Sequence, residues 1–251
     1  MPSWFRKLFG GSGSEGDPAE EVLEYQVRGA VLPLQAVAVS KAEAAWAAQR
    51  NSAQGTLIIV ADPESHPEIR EEAAEDDPAE VLAEAASLDA DLVLQNLAAD
   101  GYPEQEDDQF ESIISTDPSQ LSARPGRSKF ITLNTRLLRP KRAYLVDVPC
   151  KEPWAVFAYV PFGEWNSVPS DAVLTAIFKS WYERFGAVPA YVGGDVIEFW
   201  VDRPVTDAVA ACELAKEMYA MCPDNVDQGV GTVQNLAQAL LNASTWYFWW
   251  D

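Results

Sequence analysis

Apolar and polar positions along the chain fall into short strand-like runs separated by stretches of helical period. From Val22 to Val39 the pattern is strand-like, broken at Gly29 and Pro33. Ser40 stands where an N-cap would precede a helix over Lys41 to Arg50, Ala-rich and with Trp46 on its buried side. Thr56 to Ala61 is a wholly apolar run after its first residue, bounded by Gly55 and Asp62-Pro63, which predicts a strand covered on both faces. A helix follows over Pro78 to Ser87, with proline suited to its first turn, and Leu92-Val93-Leu94 predicts another short strand.

The last hundred residues are denser in aromatics. Trp154 to Val160 reads as a strand ended by Pro161-Phe162-Gly163. Ser170 caps a helix whose inner face carries Val173, Leu174, Ile177, Phe178 and Trp181, and Gly186 ends it. Val188–Val192 and Val196–Val201 flank Gly193-Gly194 as a hairpin. Thr206 caps a helix over Asp207 to Met221, Pro223 blocks its continuation, and Asp224 to Gly231 forms a polar loop. Thr232 caps a last helix to Leu241, and Thr245 to Asp251 is a final strand buried for most of its length. This alternation predicts an α/β (α+β) fold, a mixed β-sheet with helices packed on it in one continuous fold. Its parts are a tail (1–19), an N-terminal α/β region (20–149) and a C-terminal α/β region (150–251).

Charge adds a second layer to this picture. With 18 Lys+Arg against 39 Asp+Glu the net charge is −21, which excludes a nonspecific nucleic-acid binder. Between Asp62 and Glu111, 18 acids meet a single base, Arg70. The bland reading of this block is a solvated helix face and a mobile loop, Tyr102 to Ser122; the functional one is a surface that captures a basic protein. Arg124 to Arg142 holds seven bases and no acid, as cations guarding an edge strand around Phe130–Leu133 and Ala143–Val148 would. No apolar stretch approaches the roughly 20 residues of a spanning helix. The first ten residues lack the apolar core of a secretory signal, so the expected location is the cytoplasm. Trp4, Phe5, Leu8 and Phe9, beside Arg6 and Lys7 on a Gly/Ser tether, are either a plain tail or a small anchor for a partner groove or a membrane surface.

Catalytic chemistry is sparse. Cys150, Cys212 and Cys222 form no CxxC pair and read as reduced packing thiols, and the sole histidine, His66, is far from each in sequence. Strand alternation sends Asp195 and Glu198 to opposite faces, so they are not expected to act as an acid–base pair. Asp224, Asp227 and Gln228, with Gly229 and Gly231, have the oxygen density of a calcium loop without its spacing, and capping and loop closure explain them better. Trp165 and Asn166 could line a concave pocket with Trp249 or Trp250, and Asp251 could pair with Arg184 or Arg203.

Phe162-Gly163 with Trp165-Asn166, Trp181 to Ala187, Gly194 to Glu198, Arg203-Pro204, Tyr219 to Thr232 and Trp246 to Asp251 together resemble the bacterial family catalogued as domain of unknown function 4253, over about residues 150 to 251. The resemblance implies no established activity. Many relatives carry a cysteine after the Trp-Asn pair, where this chain has Ser167-Val168, so a metal or disulfide shared with Cys222 is not available here. Two functions follow as expectations. The first is a non-enzymatic interaction protein whose acidic surface binds a basic protein in an immunity or regulatory role, without a cofactor or metal. The alternative is a small-molecule-binding or hydrolytic domain using Trp165, Asn166, Asp195, Glu198, Asp224, Asp227 and Gln228.

Overall fold

The computed structural model describes residues 23–28, 30–61, 76–101, 108–163 and 165–251. Trp4, Phe5, Leu8, Phe9 and His66 lie outside them.

Among the described residues, seven strands build one mixed sheet: β1 (Leu23–Val27), β2 (Ala30–Val37), β3 (Thr56–Ala61), β4 (Ala143–Val148), β5 (Ala187–Val192), β6 (Val196–Val201) and β7 (Thr245–Trp249), in the order β1-β2-β4-β3-β5-β6-β7. β3 and β5 run parallel, and their described neighbours pair antiparallel. β3 is buried at all six positions, as its unbroken apolar run predicts. β4 is a correction: it lies between β2 and β3 instead of at an edge. Arg139, Lys141 and Arg142 precede the strand, and within it only Asp147 is exposed. Pro33 does not end a strand but sits in β2 opposite Glu24, near the sheet margin where a missing N–H is tolerated.

The main helices are α1 (Ala42–Gln49), α2 (Pro78–Ser87), α3 (Ala90–Gly101), α4 (Asp108–Ile114), α5 (Asp171–Phe185), α6 (Ala208–Met221) and α7 (Val233–Leu240). α2 matches its sequence expectation, and its cap is Asp77, which accepts the Ala79 N–H. α5 is capped by Ser170 and ends at Gly186 in the left-handed conformation, φ 62°. Other boundaries shift. Ser40 belongs to a short 3-10 turn and gives α1 no side-chain cap, and Asp207, not Thr206, caps α6 by accepting the Ala210 N–H.

Three expected strands are helical. Leu92–Leu94 lies in α3, where the Asp89 carboxylate accepts the N–H groups of Asp91 and Leu92. Helical spacing leaves Leu92 55% exposed and Leu94 5%, whereas a strand would put both on one face. Phe130–Leu133 leads into a one-turn helix, Ile131–Asn134. Trp154–Val160 becomes a 3-10 turn and a one-turn helix, Val156–Tyr159, with Val156–Ala158 all buried. A short, fully apolar run does not distinguish a buried strand from a buried helix. Within the segment expected to be a mobile loop, the described part holds α4 and a turn at Pro118–Gln120. The α7 side chains Gln234 and Gln238 each pair with both backbone groups of one residue there, Asp117 and Ser122.

Two apolar layers result. On one side of the sheet, Ile58, Val60, Val146, Ile197, Phe199, Trp246 and Phe248 pack against α5, α6 and α7, with Trp181 stacked on Phe248 at 5.6 Å. On the other, Leu57, Ile59, Leu145, Tyr191 and Val196 meet α1 through Ala42 and Trp46, and the one-turn helix through Leu133. The Trp46 indole N–H, donated to the Leu57 carbonyl at 2.7 Å, fixes α1 on β3.

Candidate functional site

Among the described residues, the α1 side of the sheet is covered by less helix than the other. Beyond Phe130 and Leu133, a cleft of about 550 Å³ opens where β3, β5 and β7 end. Its walls include Ala61, Thr132, Leu138, Pro140, Tyr191, Gly193, Gly194, Asp195, Val196, Tyr247 and Trp249. The volume falls within the span typical of small-molecule sites, and neighbouring parallel strands commonly bind ligands at their carboxyl ends.

The turn after β5 places the acid. Gly193 N–H donates to the Val196 carbonyl at 2.8 Å and closes the hairpin. Asp195 lies before β6 begins, so strand alternation does not govern its direction. Its carboxylate accepts the Trp249 indole N–H at 3.0 Å, and its carbonyl accepts the Trp250 N–H at 3.1 Å. Glu198 also faces the α1 side, accepting the N–H groups of Ile131 at 2.6 Å and Thr132 at 2.8 Å. The expectation of opposite faces is thereby corrected: both acids flank Tyr247, which pairs with Glu198 across β6 and β7.

Glu198 is 0% exposed and lines no part of the cleft. Burial raises its pKa, against the Thr132 and Ile131 N–H groups and the Arg127 charge, which favour the anion. With both oxygens held at the start of the one-turn helix, it anchors the wall carrying Thr132. Thr132 Oγ1 is buried, lies near enough to Glu198 to favour its charged form, and makes no hydrogen bond of good geometry. Burial, and then the carboxylates of Glu198 and Asp195, raise the Tyr247 phenol well above its usual range and keep it neutral.

The remaining expected residues are dispersed. Trp165 packs edge-on against Phe162, itself against Trp250, in the layer on the α5 side, and Asn166 is exposed with φ 49°. Neither lines the cleft; Trp249 does, and Trp250 is buried on the other side. Asp224 binds the side-chain amide of Gln228 at 2.9 Å and the Asp251 N–H at 3.1 Å, while Asp227 accepts the Tyr219 hydroxyl at 3.0 Å. These contacts belong to a π-helical turn, Asn225–Val230. Asp251 takes neither expected arginine: Arg184 pairs with Glu217, and Arg203 binds the Tyr182 and Glu183 carbonyls. Among the described residues no group of three His, Cys, Asp or Glu could hold a metal ion.

The three thiols are buried, and burial raises the pKa of each, Cys150 to about 11 and Cys222 to about 12. Cys222 donates to the Trp249 carbonyl at 3.1 Å. Sequence reasoning missed Thr132, Tyr191 and Tyr247 as cleft residues. Alternation in β7 carried a usable signal, since it puts Tyr247 and Trp249 on one face and Trp246 and Phe248 on the other.

Residues 144–251 match the model of a family described as Domain of unknown function (DUF4253). No curated protein and no solved structure matches the chain.

Proposed function

We propose, with residues 144–251 as a member of this family of unknown function, that the protein binds a small molecule in the cleft between Tyr191, Tyr247, Trp249 and Asp195. The observation that carries this reading is an aromatic-walled cleft of about 550 Å³, at the carboxyl ends of β3 and β5, into which the described residues bring the carboxylate of Asp195. The binding is without chemistry on the ligand. Both Glu198 oxygens are taken by backbone N–H groups, and the thiols are buried with raised pKa values. Unpaired thiols also suit a reducing compartment such as the cytoplasm.

A metabolite screen by thermal shift tests the reading. Ligands that raise the melting temperature of the wild type should lose that effect in Tyr247→Ala and Trp249→Leu. Hits that stabilise both variants as well as the wild type would place the ligand elsewhere and reject it.

A second reading is favoured by the surface of α2 and α3. Asp77, Glu80, Glu84, Asp89, Asp91 and Asp100 are all exposed there, and no Lys or Arg occurs from 71 to 123. Such a field would steer a basic protein partner. Capture of that partner should weaken steeply between 50 and 500 mM salt, values spanning Debye lengths from roughly 14 to 4 Å; equal yield at both would reject an electrostatic surface.

A further inference from the structure

Among the described residues, the cleft's lining has one sign of charge, and Asp195 alone of them carries it. Tyr191, Tyr247 and Trp249 supply π-systems whose faces carry partial negative charge and attract cations over the ring. Asp195 Oδ2 accepts the Trp249 indole N–H, which fixes the carboxylate at the edge of that ring. A cation pairing with Asp195 would therefore sit in a cleft whose other aromatic walls are Tyr191 and Tyr247. Glu198, buried behind Thr132, adds negative potential that Arg127, itself tied to Thr245, offsets. The cations of the adjoining stretch, Arg136, Arg139, Lys141 and Arg142, are exposed, and none lines the cleft. Their field acts through water and salt, whereas Asp195 and the rings act at contact.

We propose that the ligand is a small organic cation, an alkyl- or arylammonium or a guanidinium, whose charge pairs with Asp195 among the Tyr191, Tyr247 and Trp249 rings while its apolar body lies along Leu138, Pro140 and Val196. This rests on the ligand reading of the cleft and assigns its chemical class.

Three probes of nearly one shape and different charge test it on the full-length chain: benzylammonium, benzyl alcohol and benzoate. The reporter is the side-chain N–H resonance of Trp249, assigned by its loss in Trp249→Phe, because that proton is donated to Asp195. Benzylammonium should shift it saturably and bind about tenfold or more tighter than benzyl alcohol, the ratio expected of a charge-assisted contact. Asp195→Asn, whose side-chain oxygen can still accept the indole N–H, should abolish that preference while leaving the melting temperature near wild type. Should benzoate or benzyl alcohol bind the cleft as tightly as benzylammonium, the cation assignment falls and the ligand reading stands. Should none of the three move the Trp249 signal, and no screening hit depend on Tyr247 or Trp249, both fall together.

Discussion

Arg28 is 2% exposed, and its guanidinium reaches Asp76 at 2.7 Å, Asp171 at 2.9 Å and the Phe157 carbonyl at 3.1 Å. Asp171 in turn accepts the N–H groups of Phe162 and Gly163. Burial outweighs these partners and raises the Asp171 pKa from 3.8 to about 6. A pKa raised by folding means that the native state holds the proton more tightly. The stability it contributes is full below about 3.8 and is lost as the pH rises through about 6. The carboxyl carbon of Asp171 should titrate near pH 6, and the stability of the wild type relative to Asp171→Asn should grow from pH 7 to pH 4; a midpoint below 4 would contradict this. Arg28→Met leaves Asp171 buried and unpaired, and should lower the unfolding free energy in urea by about 3–5 kcal/mol.

At the scale of the element, the ends of helices and the edge of the sheet are set by single side chains. Gly186 closes α5 at φ 62°, and a Cβ there would approach Asp202 Cβ at 3.1 Å and Arg203 Nη1 at 3.2 Å. Gly186→Ala should cost about 1–2 kcal/mol in a denaturant melt, the penalty of left-handed backbone for an L-residue. β7 pairs with β6 on one side, and on its other side the Asn225 amide completes the ladder. It donates to the Tyr247 carbonyl at 2.7 Å and accepts the Trp249 N–H at 3.2 Å. Asn225→Leu should cost about 1–3 kcal/mol and leave edge groups open. Faster amide exchange at Trp249 is the expected signature, and unchanged exchange would show that the amide does not guard the edge.

Across the whole molecule, the family match begins in β4 and runs through β7, yet β4 and β5 do not touch as neighbours. β3, from residues 56–61, lies between them and supplies a partner to each. Residues 144–251 expressed alone should therefore show no cooperative thermal transition, because β4 would lose both its neighbours and β5 one of its two. A sharp melt of that fragment, followed by circular dichroism, would contradict the expectation. The same arrangement makes the cleft a joint product of distant segments: Ala61, Thr132 with Leu138 and Pro140, the β5–β6 turn, and β7.

The sequence by itself determined what depends on neighbours along the chain. The span of α2, the Ser170 and Gly186 ends of α5, the hairpin of β5 and β6, and the complete burial of β3 all follow from capping, turn residues and hydrophobic period. Only the tertiary structure decided the rest. Leu92–Leu94, Phe130–Leu133 and Trp154–Val160 are apolar runs too short to carry a period, and packing partners chose helix for each. The position of β4 inside the sheet depends on pairing across more than eighty residues, about which local pattern is silent. Of the expected site, Asp195 and Trp249 meet at the cleft, whereas Trp165, Asn166, Asp224, Asp227 and Gln228 do not line it. Strand alternation assigns side chains to faces, but which face stays open, and what else comes to its rim, is settled by how much helix the rest of the chain lays over it.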